Sequence, residues 1–322
     1  MTSVIMEIQQ LKKSYLLGGG FLQQKPRVIR AVNGVDLQVF EGETLGLVGE
    51  SGCGKSTLAR LLMKLEEPDE GSAYFRGRNI TSLSREDLKT YRRRVQMIFQ
   101  DPYSSLNPRK SAQSIISEPL TIYRISNRAQ RKEKTLQLMK KVGLSEEQAH
   151  RYPHEFSGGQ RQRIGIARAL ALQPELIIAD EPVSALDASI QAQILNLLRD
   201  LKKDFGLTYL FISHDLNVIH HVSDRIAVMY LGRIVELADK NDLYRKPLHP
   251  YTRMLMAAMP GCALQRKNRE MPVHGEASEV GEAGCSFKSR CIYKIAVCER
   301  EVPELRPCSG RGLCACHRTG EI

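Results

Sequence analysis

The sequence predicts an α/β fold, and three stretches of the chain carry that prediction. The first, GESGCGKST at residues 49–57, stands between a short apolar run and a segment in which leucines recur at helical spacing. The second, LIIADE at 176–181, and the third, at 207–213, are apolar runs typical of buried strands. Because such strands alternate with helical segments, we expect a mostly parallel sheet covered by helices.

The composition is compatible with an α/β protein of this kind, and the net charge favours some classes of binding partner over others. A chain of 322 residues can bury more than one core, and 42% hydrophobic with 26% charged residues is an ordinary balance. No run of 18 apolar residues occurs, and the first eleven residues contain Glu7 and no signal-peptide core, so we expect a cytoplasmic location. The net charge of +11 favours anionic partners: a nucleotide, nucleic acid or an acidic membrane surface.

Residues 49–57 fit the phosphate-binding pattern G-x-x-x-x-G-K-[ST] between a strand and a helix, as that pattern requires. Glycines let the backbone curl so that N–H groups point at phosphate oxygens, and the helix start adds its positive dipole end. We expect Lys55 to reach the β and γ phosphates and the Ser56 hydroxyl to bind Mg²⁺, while Cys53 is merely small enough for the loop. The expected nucleotide contacts are Gly49, Glu50, Ser51, Gly52, Cys53, Gly54, Lys55, Ser56 and Thr57.

The segments before this motif are strand-like and contain one candidate aromatic contact. Residues 3–11 indicate a strand, and 28–40 show largely alternating apolar residues. Tyr15 has two interpretations, a ring placed against adenine or a half-buried strand aromatic, and spacing alone favours the second.

After the motif, a strand at 95–99 ends at Gln100, and the stretch from about 101 to 170 contains no buried-strand run, so we expect a helical insertion there. Within it, FSGGQ at 156–160 opens a helix with Ser157 as N-cap. Its free N–H groups suit a second anion site; the alternative is a plain capped helix, which two helix-destabilising glycines disfavour. The expected contacts are Ser157, Gly158, Gly159 and Gln160.

Two acidic residues end the strand at 176–181, where an α/β sheet delivers side chains to its ligand crevice. We expect Asp180 to bind Mg²⁺ together with Ser56, and Glu181 to orient and deprotonate the attacking water. His214 follows the strand at 207–213 and is a candidate γ-phosphate contact, although a lone histidine is more often structural.

Residues 241–322 form an extension that is rich in cysteine towards its end, after a polar linker at 261–284. Its cysteine spacings match neither the usual zinc patterns nor common ferredoxin runs, so spacing indicates a thiolate metal site without naming the metal. The cysteines concerned are Cys285, Cys291, Cys298, Cys308, Cys314 and Cys316.

Taken in order, GESGCGKST, Gln100, FSGGQ, LIIADE, SALD (184–187) and His214 resemble the ATPase subunit of ABC transporters over residues 3 to about 260. The resemblance implies a P-loop NTPase cassette: a RecA-like parallel sheet core at 1–100 and 171–240, an antiparallel β subdomain, a helical signature subdomain at 101–170, and the small Cys-rich extension at 241–322.

The same resemblance implies site roles and a head-to-tail dimer that binds two ATP molecules between its chains. Each nucleotide would contact the P-loop of one chain and residues 157–160 of the other. It assigns Tyr15 to adenine stacking, Gln100 to sensing Mg²⁺ and the coupling helix, Asp187 to the dimer interface and His214 to the switch.

A narrower resemblance, carried by QDPYSSLNPR (100–109) and HPYTRMLMAAMP (249–260), points to importers of oligopeptides, dipeptides and nickel. The chain looks most like the second of their two unlike ATPase subunits. This implies a non-identical partner ATPase, two transmembrane permeases, an extracytoplasmic solute-binding protein, no nucleic acid, and a peripheral position on the cytoplasmic face of the membrane. Peptides are the expected cargo, with nickel or another metal chelate as the alternative.

The cysteine block is also similar to that of the dipeptide-type subunits, whose G-C-x-F-x-x-R-C-x6-C pattern stands here at 284–298, with a closing A-C-H at 315–317. Some members hold a [4Fe–4S] cluster there, which by analogy makes Cys285, Cys291, Cys298 and Cys316 the ligands. Cys308 and Cys314 depart from the pattern, and zinc or free thiols are rival interpretations.

Two other functions compete with transport. A soluble ABC-type ATPase acting on ribosomes or DNA usually carries two cassettes or a long coiled-coil insertion, and this sequence has neither. An iron-sensing or redox-sensing regulator, with the extension as sensor, is compatible with the transporter interpretation.

Overall fold

The computed structural model describes residues 3–17, 27–258, 283–308 and 312–321, so nearly all of the linker expected at 261–284 lies outside the described residues. The strands are β1 (Val4–Leu17), β2 (Arg27–Phe40), β3 (Thr44–Val48), β4 (Glu70–Phe75), β5 (Arg78–Asn79), β6 (Val95–Ile98), β7 (Leu176–Asp180), β8 (Thr208–Ser213), β9 (Arg225–Tyr230), β10 (Arg233–Asp239), β11 (Arg306–Pro307) and β12 (Leu313–Cys314). The helices are α1 (Lys55–Leu62), α2 (Arg85–Arg94), α3 (Pro102–Ser105), α4 (Ala112–Ile122), α5 (Arg128–Lys141), α6 (Gly158–Leu170), α7 (Ala188–Phe205), α8 (Leu216–Val222), α9 (Lys240–Arg245) and α10 (Pro250–Ala257).

The chain divides into two compact units. The first joins Met1–Ser82 to Ser213–Ile322, and the second is the single stretch Leu83–Ile212. The cysteine-rich extension is therefore part of the first unit, together with the phosphate-binding motif.

An antiparallel sheet in the order β2-β1-β4-β5 forms one layer of the first unit. Ile8 pairs with Leu37 of β2, and Met6 pairs with Phe75 of β4; all four side chains are buried. The first strand runs to Leu17, well past the predicted end at residue 11. It contains an irregularity at Gln10, where φ is +47° and the pairing register shifts. Such a bulge breaks the alternation that a sequence pattern relies on.

The second sheet of this unit places β3 parallel to β9, and continues antiparallel through β10, β12 and β11. Every residue of β3 is buried. Helix α8 lies so close to β3 that a Cβ atom on Gly46 would stand 2.8 Å from Ile219 Cγ2 of that helix. The extension adds to this sheet through β12, where Cys314 pairs with Glu236 of β10.

In the second unit, β6, β7 and β8 are parallel neighbours, with Ile98 opposite Ala179 and Asp180 opposite Ile212. Parallel pairing brings the carboxyl ends of β6 and β7 to one edge. Between these strands in sequence lie α3 to α6, and residues 101–170 show no strand in the described chain. The predicted α/β fold, with parallel strands, an antiparallel sheet and a helical segment, is confirmed.

Candidate functional site

The phosphate-binding motif lies in the first unit, between β3 and α1. A Cβ atom at Gly49 would stand 2.1 Å from the backbone oxygen of Met229 on β9, so no side chain fits there. Gly54 precedes α1 with φ +106°, and its Cβ would lie 1.8 Å from the carbonyl oxygen of Ala31. The fold itself therefore requires both glycines, independently of any phosphate.

Lys55 is buried inside this loop, with 4% of its surface exposed. Its ammonium donates to the carbonyl oxygens of Gly49 at 2.7 Å and Glu50 at 2.9 Å. These bonds fix a positive charge at the centre of the loop, where a phosphate would be drawn. Burial raises the pKa of the neighbouring Cys53 thiol, which keeps that side chain neutral.

Tyr15 reaches the far end of the motif. Its hydroxyl donates to the Glu66 carboxylate and also interacts with the side chain of Thr57, the last residue of the motif. The Lys13 ammonium lies 5.8 Å from the centre of its ring. In the same loop Ser51 and Gly52 are exposed, and Ser56 is half-buried in the first turn of α1.

In the second unit, Gln100 and Glu181 meet just beyond β6 and β7. The Gln100 amide Nε2 donates to Glu181 Oε2 at 3.0 Å, and Asp180, the last residue of β7, is 6% exposed. Glu181 has φ +46°, a conformation that costs a non-glycine residue about 1 kcal/mol or more. Its N–H donates to the Ile212 carbonyl at 2.9 Å, which holds the residue in that conformation.

The Ser157 segment begins α6 with a reciprocal capping box. The Gln160 N–H donates to Ser157 Oγ at 3.3 Å, and the Ser157 N–H donates to Gln160 Oε1 at 3.1 Å. Gly159 is buried, and a Cβ there would stand 2.5 Å from Ile190 Cγ2, so packing alone accounts for this glycine. Gly158 is exposed beside Ser157 and has no comparable packing constraint.

His214 and Asp187 lie at element ends, as expected from the sequence. His214 follows β8, belongs to the first unit and is exposed. The next residue, Asp215, accepts the Asn217 N–H at 2.7 Å and so caps α8. Asp187 occupies the N-cap position of α7 in the second unit and is also exposed.

The four cysteines that were expected to be ligands lie near one another in the extension. The thiols of Cys285, Cys291, Cys298 and Cys316 act electrostatically on each other, and burial raises the pKa of Cys285 to about 11. The described residues nevertheless contain no group of three or more His, Cys, Asp or Glu side chains arranged to hold a metal ion. Cys308 and Cys314 are buried together beside Leu248, and Cys316 packs against this cluster.

Sequence reasoning missed a contact between the extension and the phosphate-binding loop. The guanidinium of Arg290 forms a two-pronged ion pair with the Glu50 carboxylate, and the Glu50 N–H donates to the Tyr251 hydroxyl at 2.9 Å. Arg290 and Tyr251 stand in the R-C and H-P-Y stretches that carried the family resemblance. Those stretches marked the two residues, but a separation of 240 positions gives no sign of the contact with Glu50.

Among the described helices, none combines the length and apolar character needed to cross a bilayer. Comparison with known families matches residues 32–184 to the ABC transporter family and residues 235–298 to the family described as oligopeptide/dipeptide transporter, C-terminal region. Among solved structures, a dimeric ATP-binding cassette in a post-hydrolysis state bound to ADP and Pi is similar, with a TM-score of 0.65 and 30% identity over 73% of this chain and 98% of that chain.

Curated relatives match nearly the whole length. The oligopeptide transport ATP-binding protein AppF of Bacillus subtilis (strain 168) is 49% identical over 318 residues, 97% of each chain. The dipeptide transport ATP-binding protein DppF of Escherichia coli (strain K12) is 45% identical over 314 residues, 97% of this chain and 93% of that protein. The chain therefore belongs to the ABC transporter family, as an ATPase subunit of its oligopeptide/dipeptide branch.

Proposed function

We propose that this chain hydrolyses ATP to energise the import of dipeptides and oligopeptides through an ABC transporter. The observation that carries the proposal is the union, in one chain, of an ATP-binding cassette with the C-terminal region of oligopeptide and dipeptide transporters. Relatives named for oligopeptide and dipeptide transport match 97% of this chain, so the likeness is not confined to the cassette.

In this proposal the motif of the first unit binds the nucleotide. Its N–H groups and the Lys55 ammonium bind the β and γ phosphates, Ser56 binds Mg²⁺, and Tyr15 stacks on adenine. The support for Lys55 is its position, since carbonyl oxygens of the loop hold its charge in place. His214 contacts the γ-phosphate in its switch role.

The carboxylates of the second unit carry the hydrolytic chemistry. Glu181 orients and deprotonates the attacking water, while Asp180 and Gln100 complete the Mg²⁺ site. The hydrogen bond from Gln100 to Glu181 supports this assignment, because it fixes the direction of the carboxylate just beyond β7. Ser157, Gly158, Gly159 and Gln160 bind the nucleotide of a second chain, with Asp187 at the interface.

As an ABC transporter subunit the protein acts with membrane permeases. We infer further that it sits on the cytoplasmic face beneath two permeases, pairs with a second, non-identical ATPase, and serves a solute-binding protein outside the membrane. The segment 100–109, which includes α3, is the proposed docking region for a permease.

The extension is the proposed site of a metal centre, a [4Fe–4S] cluster with zinc as its rival. The electrostatic interaction among the four thiols of Cys285, Cys291, Cys298 and Cys316 supports this proposal. A bound centre would cross-link the extension through thiolate bonds. Anaerobically purified protein is expected to contain iron and acid-labile sulfide. Stoichiometric zinc without sulfide would instead identify a zinc site. If the protein contains neither iron nor zinc, the proposal of a metal centre is wrong.

The hydrolytic assignment is tested with Glu181→Gln, which removes the proton acceptor and keeps the shape of the side chain. ATP binding should persist while turnover falls at least about 100-fold, because a general base contributes 10²- to 10⁴-fold. Equilibrium binding of a fluorescent ATP analogue and phosphate release measure the two quantities separately. If this variant hydrolyses ATP at the wild-type rate, the general base is a residue other than Glu181. Peptide uptake is measured in cells that carry the variant. Loss of this uptake is the result expected if the transporter imports peptides.

A further inference from the structure

The ion pair between Arg290 and Glu50 joins the cysteine-rich extension to the second residue of the phosphate-binding loop. Nη1 of Arg290 lies 2.9 Å from Glu50 Oε2, and Nη2 lies 3.1 Å from Oε1. Two parallel contacts of this kind fix the orientation of both groups, which a single contact does not. Both residues belong to the first unit, so the contact lies within one compact body.

The surroundings of Arg290 make this contact more than a surface salt bridge. Its side chain is 6% exposed, compared with 32% for that of Glu50. The guanidinium lies about 6 Å from the ring centres of Tyr230 and Phe287, at 5.9 and 6.0 Å. A charge buried between aromatic rings needs an opposite charge in a fixed place, and Glu50 provides it.

Each polar group of Glu50 is engaged. Its carboxylate binds Arg290, and its N–H donates to the Tyr251 hydroxyl at 2.9 Å. Its carbonyl oxygen accepts from the Lys55 ammonium at 2.9 Å and from the Cys53 N–H at 3.3 Å. Glu50 therefore connects two residues of the extension, Arg290 and Tyr251, with the lysine that is assigned to the phosphates.

We propose that Arg290 is a positioning residue for nucleotide binding: through Glu50 it holds the start of the phosphate-binding loop in its binding conformation. The backbone N–H of Glu50 is bonded to Tyr251 and that of Cys53 to the Glu50 carbonyl, so both residues are held in place by the protein itself. Nucleotide binding to an ordered loop avoids the cost of ordering it, so the extension raises affinity for ATP. This inference rests on the proposed role of the loop as the nucleotide site.

The test measures equilibrium binding of a ribose-labelled fluorescent ATP analogue to the full-length chain. Arg290→Ala should weaken binding by about tenfold, within the range typical of coupling between sites, and should raise KM for ATP while kcat changes less. Arg290→Lys should recover part of the loss, because it restores the charge but not the two-pronged contact. Amide hydrogen exchange at residues 49–54 should become faster in Arg290→Ala. Unchanged affinity in a folded Arg290→Ala protein overturns the proposal.

The double variant Arg290→Ala/Glu50→Ala separates a shared pathway from two independent effects. If Arg290 acts through Glu50, the double variant loses no more affinity than the worse single variant. Losses that multiply contradict the proposal. The matched control is Lys294→Ala, which breaks an exposed ion pair with Glu299 (2.7 Å) in the same extension and should leave affinity unchanged.

Binding measurements on two further variants distinguish failure of the positioning role from failure of the nucleotide assignment. If Arg290→Ala does not fold, Glu50→Gln alone must weaken binding, and wild-type affinity in that variant rejects the proposal. Lys55→Ala tests the loop itself. Retained binding in Lys55→Ala rejects the nucleotide assignment, whereas lost binding there with normal binding in Arg290→Ala rejects only the positioning role.

Discussion

Two glycine-containing helix starts, one in each unit, are held in shape by different means. The start of α1 is shaped from outside: Ala31 and Met229 press on its glycines, and the extension holds Glu50. The start of α6 is shaped from within, by the capping box between Ser157 and Gln160. The comparison teaches that the first loop depends on several distant contacts, while the second is held by its own capping box and by the packing of Gly159 on Ile190.

The largest effect is expected for Gly54→Ala. A Cβ atom would overlap the Ala31 carbonyl at 1.8 Å and would require φ +106°, so the start of α1 must move. We expect loss of ATP binding and destabilisation of roughly 3 kcal/mol or more, measured by denaturant unfolding. Gly42→Ala is the control, since φ there is +77° but nothing lies within 4 Å of the Cβ. That variant should lose about 1 kcal/mol and bind ATP normally.

The next effect distinguishes two glycines of one helix. Gly159→Ala should destabilise the protein by about 1–3 kcal/mol, because the new Cβ would lie 2.5 Å from Ile190. Gly165→Ala, farther along α6, meets nothing within 4 Å and should stabilise by about 0.5–1 kcal/mol through helix propensity. Chemical denaturation of both variants measures the change in their free energies of unfolding. If both changes have the same sign, the packing explanation for Gly159 is wrong.

A smaller effect is expected for Ser157→Ala. Loss of the Ser157 Oγ acceptor should cost about 1 kcal/mol, typical of an N-cap. Because this cap is local, ATP binding to the P-loop of the same chain should be unchanged, while hydrolysis falls if the segment serves a second chain. Weaker binding by the isolated chain would show that the two helix starts are not independent.

The last effect, about as large near pH 6 as that of Ser157→Ala, concerns pH and the support for Glu50. Burial lowers the pKa of His249, the N-cap of α10, to about 3, and its Nδ1 accepts the Tyr251 N–H at 3.0 Å. A lowered pKa means that this stabilisation is complete above the unfolded pKa of about 6.5 and is lost as pH falls from there towards 3. The loss should be roughly 1 kcal/mol near pH 6.

His249→Asn keeps a side-chain oxygen able to cap α10 but cannot take up a proton. Its unfolding free energy should therefore vary less between pH 7 and pH 5 than that of the wild-type protein. Thermal or urea unfolding at several pH values measures this difference, and identical pH dependence in both proteins would contradict the role given to His249.

Local features were predictable, and features that depend on distant contacts were not. The P-loop, the FSGGQ helix start and the acids after β7 are each contained in a few consecutive residues, whose chemistry implies their structure. The contact between Glu50 and Arg290 joins positions 240 residues apart, and no spacing rule reaches that far. The packing of Gly159 on Ile190 also needed the structure, since sequence reasoning attributed both glycines to an anion site.

The division into units has a consequence for synthesis on the ribosome. The second unit, Leu83–Ile212, is one continuous segment, so all of it is translated before residue 213 is added. The loop at 49–57 and Ala31 are translated earlier still, yet Met229, Tyr251 and Arg290, which also shape the loop, follow only after the second unit. During synthesis on the ribosome the phosphate-binding loop therefore lacks its contacts with Met229, Tyr251 and Arg290 until that later part of the chain has left the exit tunnel.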